Sequence, residues 1–220
     1  KLLVPGHPYI AIGEVGVDLY WDKTWLKQQQ QVLDEQIQWA LEWDLPLVIH
    51  CREAFPELFQ VLAPYKDTAL RGVFHSFTGT ASEAAQLMEY EHFLIGINGV
   101  VTFKKSTLPE ALAGVPLTKV VLETDSPYLS PVPFRGKRNE PKNLVYICEQ
   151  IARLKGCSPE EVAEHIISRV KEMYEKKVAG ERPDRIDQME RSIMLQAIDK
   201  LWQKHLMDMD ALREGVRLRA

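Results

Sequence analysis

Short apolar runs alternate with longer stretches of helical periodicity from residue 9 to about residue 165. Tyr9-Ile10-Ala11-Ile12-Gly13, Pro46-Leu47-Val48-Ile49, Arg71-Gly72-Val73-Phe74, Phe93–Asn98 and Lys119–Thr124 are brief and almost wholly apolar. Runs of this kind read as buried parallel strands. Between them lie segments with helical spacing. Residues 23–43 place Val32, Leu33, Ile37, Ala40 and Leu41 on one face, and further helices are predicted near 55–62, 81–89 and 108–113. Thr80-Ala81-Ser82-Glu83 carries a capping signal for the third of these. Regular alternation of strand and helix predicts a parallel sheet with crossover helices, either a barrel or a doubly wound fold. No GxGxxG or Walker loop supports a nucleotide-binding version. The pattern contains five strands, whereas a closed (β/α) barrel has eight over about 250 residues. Strands are therefore expected to be missing at the start, or the sheet to be open.

Beyond residue 165 the strand pattern stops. Ile166–Ala179 reads as a charged helix, Gly180-Glu181-Arg182-Pro183 as a break, and Asp184–Glu214 as one long helix free of Gly and Pro. Ile186, Met189, Ile193, Ala197, Leu201, Leu206, Met209 and Leu212 form its apolar side, Asp184 is placed to cap its start and Gly215 to end it. The division expected is 1–165 and 166–220, the second part all-α and suited to packing or scaffolding.

Composition narrows the class. The 220 residues are 45% hydrophobic and 26% charged, with a net charge of −4, so any polyanion must be held by a local basic patch. Cys51, Cys148 and Cys157 show no CxxC spacing, which fits a reducing, cytoplasmic setting. No apolar run reaches the ~18 residues of a membrane span, and no secretory signal is seen. The chain opens on Lys1-Leu2-Leu3-Val4-Pro5-Gly6, which reads like the middle of a protein.

Four ligand-type residues each close an apolar run: Glu14, His50, His75 and Asp125. In a barrel of parallel strands the C-terminal strand ends ring the face that carries the chemistry. Two carboxylates and two imidazoles on one rim suit a divalent metal that activates water. Taken singly, each His also reads as a hydrogen-bonded core residue, and each carboxylate as a cap or ion-pair partner; the joint placement favours a metal site. Glycines at 13 and 16 allow close backbone approach around Glu14. Asp18 is placed to orient a ligand or to close an Asx-turn. Arg52 is placed to take a phosphate bidentately, or to form a surface ion pair. Arg135, Lys137 and Arg138 stand in a loop with Phe134 and Tyr128, a combination that suits a nucleic-acid backbone with an unstacked base, or a solvated basic loop.

Ala11–Asp18, Pro46–Arg52, Val73–Gly79 and Glu123–Leu129 through Arg135–Pro141 together closely resemble the TatD family of metal-dependent deoxyribonucleases, over about residues 8–165. The resemblance implies a TIM-type (β/α) barrel of the amidohydrolase kind. It implies one or two divalent ions (Zn, Mn or Mg) and hydrolysis of DNA phosphodiesters, with 3′-exonuclease action on single-stranded or frayed ends. By the same resemblance Glu14 is the carboxylate bridging two metals, and His50 and His75 are ligands of the second. Asp125 is a ligand of the first that also handles the proton of the attacking water; Glu14 and Asp125 are thus the catalytic candidates. Arg52, Tyr128, Arg135, Lys137 and Arg138 are the substrate candidates. The family's opening His-x-His strand has no counterpart here, since His7 stands alone before Pro8. The resemblance therefore covers a partial barrel of about three-fifths of a family domain. Residues 168–220, with Trp202-x-x-His205-Leu206-x-x-Met209-Asp210-x-Leu212-Arg213-x-Gly215, resemble instead the helical scaffold and two-helix finger of the translocation ATPase SecA. That implies contacts with the protein-export machinery through residues 184–214. A join of two unrelated segments near residues 165–170 is the remaining reading.

Overall fold

The computed structural model describes residues 3–180 and 182–217, with side chains as far as Met209. The chain divides into two compact units between Ile166 and Ile167.

The first unit is built on five strands, β1 (Ile12–Asp18), β2 (Leu47–Arg52), β3 (Gly72–His75), β4 (Phe93–Ile97) and β5 (Val120–Leu122). All neighbouring pairs are parallel, and the strands lie side by side in chain order. The order never reverses, so there is no switch point of the kind that defines a doubly wound sheet. Winding in one direction is that of a (β/α) barrel.

The crossovers are α1 (Leu26–Glu42), α2 (Phe55–Leu62), α3 (Ala81–Leu87) and α4 (Leu108–Leu112), with α5 (Leu144–Lys155) following β5. They cover one face of the sheet. Val15, Val17, Leu47, Ile49, Phe74, Phe93, Ile95 and Ile97 from the strands meet Leu33 and Ile37 of α1, Leu58 and Leu62 of α2 and Ile147 and Ile151 of α5 in one buried cluster. Burial of an aliphatic or Phe side chain in such a cluster contributes about 1.5–3 kcal/mol. Val32 is half exposed, outside the face expected of α1, because the buried stripe follows Leu33, Ile37 and Ala40. The capping signal at α3 is formed in full: Thr80 Oγ1 accepts from Glu83 N, and Thr80 N donates to Glu83 Oε2 at 2.6 Å.

β1 differs from expectation. Tyr9 and Ile10 precede it, with Ile10 77% exposed, and the strand runs on to Asp18. The alternation of Val15 and Val17 with Gly16 and Asp18 carries it past Glu14.

α6 (Pro159–Val178) is continuous across the expected boundary at residue 165, and α7 (Pro183–Arg217) follows. Pro183 takes the first helical position, so Asp184 lies inside the first turn instead of capping it, paired with Arg182 at 2.5 Å. The helix backbone passes through Gly215, while the side chain of Leu212 lies outside the described residues. Within the second unit Tyr174 donates to Glu190 at 2.7 Å. Met189, Ile193, Leu201 and Trp202 of α7 are exposed. Among the described residues no helix is long and apolar enough to cross a membrane.

Candidate metal centre

The alternation of β2 sets the site. Leu47, Ile49 and Cys51 are buried beneath the helices, while Val48, His50 and Arg52 point to the opposite, half-exposed face. His50 is in register with His75 of β3, so both imidazoles leave the sheet on that same face. On the other side His50 pairs with Gly16. Gly16 has φ +151°, and a Cβ there would stand 1.8 Å from the His50 carbonyl oxygen, so only glycine permits this approach.

Glu14 is the extra residue of a β-bulge: Gly13 pairs with Val48 and Val15 with Ile49, leaving Glu14 without a partner in the register. A bulge re-aims a side chain, and here the carboxylate comes to the His50 face, Oε1 lying 3.0 Å from His50 Nδ1. The other ring nitrogen, Nε2, meets Asp18 Oδ2 at 2.9 Å. Asp18 is itself fixed by the Tyr20 N–H, which donates to its Oδ1 at 2.9 Å. Burial raises the Asp18 pKa, but the hydrogen bonds from His50 and Tyr20 outweigh it and leave the carboxyl below its usual range.

His75 is built the same way with the nitrogens exchanged. Nδ1 bonds Glu123 Oε2 at 2.8 Å, and Nε2 faces Asp125 Oδ1 at 3.3 Å. The other Glu123 oxygen accepts from the Ser76 backbone N–H. The hydrogen bond to Glu123 is the main cause that pushes His75 up to about 9, against burial and with help from the charges of Glu123, Asp125 and Glu14. Asp125 follows β5 in a loop and holds φ +53°. Its Oδ2 accepts from Asn98 Nδ2 at 2.8 Å, and the same amide donates to Ser76 Oγ at 2.6 Å. Asn98 is 1% exposed, and its Oδ1 accepts from Val100 N at 3.0 Å. A second buried amide, Asn139, secures the loop beyond: it donates to the carbonyls of Thr124 and Tyr128, each at 2.7 Å.

Glu14, His50, His75 and Asp125 all line one cavity of about 480 Å³, together with Arg52, Ser76 and Tyr128. The four are thus brought to one rim, though not as strand-closing residues. Only His75 ends its strand; Glu14 and His50 lie within theirs and Asp125 lies beyond β5. β1 and β2 start later and run further than apolarity alone indicates, because hydrogen bonding continues through polar residues such as Arg52 and Asp18, whereas β5 is shorter at both ends.

The donor set fits a cation. Ligands bonded at about 2.0–2.1 Å in a tetrahedron stand about 3.3 Å apart, which matches the His75–Asp125 separation of 3.3 Å and is close to the Glu14–His50 separation of 3.0 Å. Each imidazole has a carboxylate behind it, as metal-binding histidines require for orientation. His75, Glu123 and Asp125 offer donor atoms all within 4.8 Å of one another. Glu123 was not among the candidates from sequence; the signal was its position two residues before Asp125 at the end of an apolar run. Asn98 and Asn139, also missed, have no local signature.

Of the substrate candidates, Arg52 and Tyr128 border the main cavity. Arg135 and Lys137 line a smaller one of about 290 Å³ that shares Tyr128 and Leu129 with it, and Arg135 lies over the Phe103 ring, 3.6 Å from its centre. Arg138 is exposed and lines neither cavity.

Known proteins resemble this chain in sequence, and others in fold. The metal-dependent hydrolase YabD of Bacillus subtilis is 40% identical over 175 residues, 79% of this chain and 68% of that protein. The metal-dependent hydrolase YcfH of Escherichia coli K12 is 38% identical over 156 residues, 70% of this chain but 58% of its own length. The crystal structure of YjjV, a TatD homologue from Escherichia coli K12, superposes with a TM-score of 0.66 at 29% identity, covering 72% of this chain and 61% of that one. A TatD-family hydrolase of Entamoeba histolytica shares the fold, with a TM-score of 0.62 at 23% identity. The chain therefore spans less than two thirds of the length of YcfH and YjjV. The family model for TatD-related DNases matches residues 1–175, past the expected boundary at 165, so the first ten residues given to the second part belong with the family domain. On that match, and on a parallel sheet that carries two carboxylate-backed histidines on one face, the chain belongs to the TatD-related DNase family of metal-dependent hydrolases.

Proposed function

We propose that this chain hydrolyses phosphodiester bonds at single-stranded or frayed DNA ends, in the manner of a 3′-exonuclease. The observation that carries the reading is the in-register pair His50 and His75, facing Glu14 and Asp125 across one cavity with Arg52 at its edge. Glu14 and His50, paired at 3.0 Å, and His75 and Asp125, paired at 3.3 Å, are the residues that would hold the metal. A bound divalent ion supplies Lewis-acid charge and lowers the pKa of water. Asp18 and Glu123 keep the two imidazoles turned so that His50 Nδ1 and His75 Nε2 face the donors across from them. Asn98 holds Asp125 Oδ2, which turns Oδ1 toward His75 and the metal centre, where its remaining lone pair would accept the proton of the attacking water. Arg52 receives a phosphate oxygen, and Arg135 and Lys137 follow the backbone away from the scissile bond. The test is release of nucleotides from a 5′-labelled oligonucleotide with Mg, Mn or Zn. Asp125→Asn and Glu14→Gln should each abolish it, and cleavage that survives both substitutions or persists in chelator refutes the reading.

The division at Ile166 and the exposed apolar residues of α7 favour a second reading for residues 184–214. In it they dock onto the protein-export machinery, as their resemblance to SecA suggests. Binding to the SecYEG channel that is unchanged by deletion of 184–214 sinks that reading.

A further inference from the structure

The side chains of Tyr20 and Trp21, in the loop after β1, have no part in the chemistry above. Leu19 is buried, and Leu19 N donates to the Arg52 carbonyl at 3.0 Å, which ties the loop base to the end of β2. The two residues that follow turn outward: Tyr20 is 44% and Trp21 82% exposed. Their rings meet edge to face, centres 4.7 Å apart at 90°. The Arg52 guanidinium lies over the Tyr20 ring, 3.5 Å from its centre, and 6.0 Å from the centre of Trp21. Arg52 in turn borders the cavity that holds the metal-binding side chains.

These contacts divide the labour. The Tyr20 face is taken by Arg52, and the Asp18 carboxylate that orients His50 is held by the Tyr20 backbone N–H. Tyr20 is therefore a spacer that fixes the guanidinium at the cavity edge. The Trp21 indole, touched by the Tyr20 ring and with Arg52 6.0 Å from its centre, keeps most of its surface open to solvent, an exposure that sacrifices the burial a Trp ordinarily gains. An immobilised guanidinium within a nucleotide's length of an open indole face matches a base and its phosphate.

We propose that Trp21 and Arg52 form a subsite for one unpaired nucleotide of the nucleic-acid substrate, the base stacked on the indole and its phosphate held by the guanidinium. The proposal rests on the phosphodiesterase reading and adds to it how the substrate strand is gripped. Stacking on an aromatic platform is tolerant of base identity, because every base has a π-face. The subsite thus selects for an unstacked base and not for sequence.

Binding separates the two claims, since it needs no turnover. The full chain in chelator is titrated by fluorescence anisotropy into a labelled oligo-dT and into an abasic oligonucleotide of equal length. Trp21→Ala should weaken oligo-dT binding about tenfold and leave abasic binding unchanged, while Trp21→Phe should keep most of the affinity. Arg52→Gln should weaken both ligands and lower the salt slope by about one counterion. Equal affinities of wild type and Trp21→Ala for oligo-dT overturn the proposal, as does failure to bind either oligonucleotide. A binding pattern as expected, with no cleavage of DNA when metal is restored, upholds the subsite and removes the nuclease reading instead.

Discussion

Asn98→Ala is the sharpest test of how the centre is held together. The side chain is 1% exposed and makes three hydrogen bonds, to Asp125 Oδ2, to Ser76 Oγ and from Val100 N. A bond to an ionised carboxylate is worth about 1.5–3 kcal/mol and a neutral one about 1 kcal/mol. Truncation also leaves the Val100 N–H without its acceptor at the start of the turn Gly99–Thr102. The expected loss is about 4 kcal/mol, a large share of the ~5–15 kcal/mol that holds a domain folded. In urea this corresponds to a fall of the midpoint by roughly 2 M. Ser76→Ala should lose about 1 kcal/mol alone and couple to Asn98→Ala by a similar amount in a double-mutant cycle. Metal affinity, followed by a Co(II) absorption titration, should also fall in Asn98→Ala, because Asp125 loses the amide that fixes its orientation. A stability loss below about 1 kcal/mol together with unchanged metal affinity refutes the view that this amide organises the Asp125 side of the site.

Other outcomes follow from the same contacts. A Cβ at Gly96 would lie 2.5 Å from Glu123 Oε2, and the Glu123 carboxylate is fixed by His75 and Ser76; Gly96→Ala should therefore weaken metal binding about 10–100-fold, and an unchanged titration contradicts it. In chelator, His75 with its pKa raised to about 9 binds a proton more readily folded than unfolded. Its contribution is full below pH 6.5 and is lost as pH rises through about 9, at most about 3 kcal/mol. Urea titrations across that range should show the decline, and Glu123→Gln should flatten it. Burial pushes the Cys51 thiol up to about 12, so iodoacetamide at neutral pH should leave Cys51 unmodified in the native chain and alkylate it in urea, read by peptide mapping.

What the sequence revealed was what local periodicity encodes. The helix at 55–62, the Thr80–Glu83 box and the strand interiors were all visible because the signal for each lies within a few residues. β1 was misplaced because Ile10 and Ala11 imitate a strand, whereas the strand proper is marked by the alternation of Val15 and Val17. The gathering of Glu14, His50, His75 and Asp125 on one rim was legible from their joint position in the strand–helix pattern. The residues that orient them were not. Asn98 acts on partners 22 and 27 residues away, and Glu123 acts on one 48 residues away. Such pairings exist only once the register of β3, β4 and β5 is fixed, and no window of sequence contains them.

The bulge in β1 has a consequence for how chemistry and folding are coupled in this sheet. Side chains on a strand alternate with a period of two, so an added residue ordinarily turns everything beyond it inside out. Here Gly13 and Val15 pair with consecutive residues of β2, as though Glu14 were not there. Glu14 is therefore outside the strand's reading frame. Deleting it leaves the inward and outward sets of β1 in phase and removes the carboxylate alone, whereas deleting Val15 or Gly16 shifts the frame. The sheet can lose or exchange this carboxylate without renegotiating its core, which makes position 14 the place where the site is free to change while the fold stays the same.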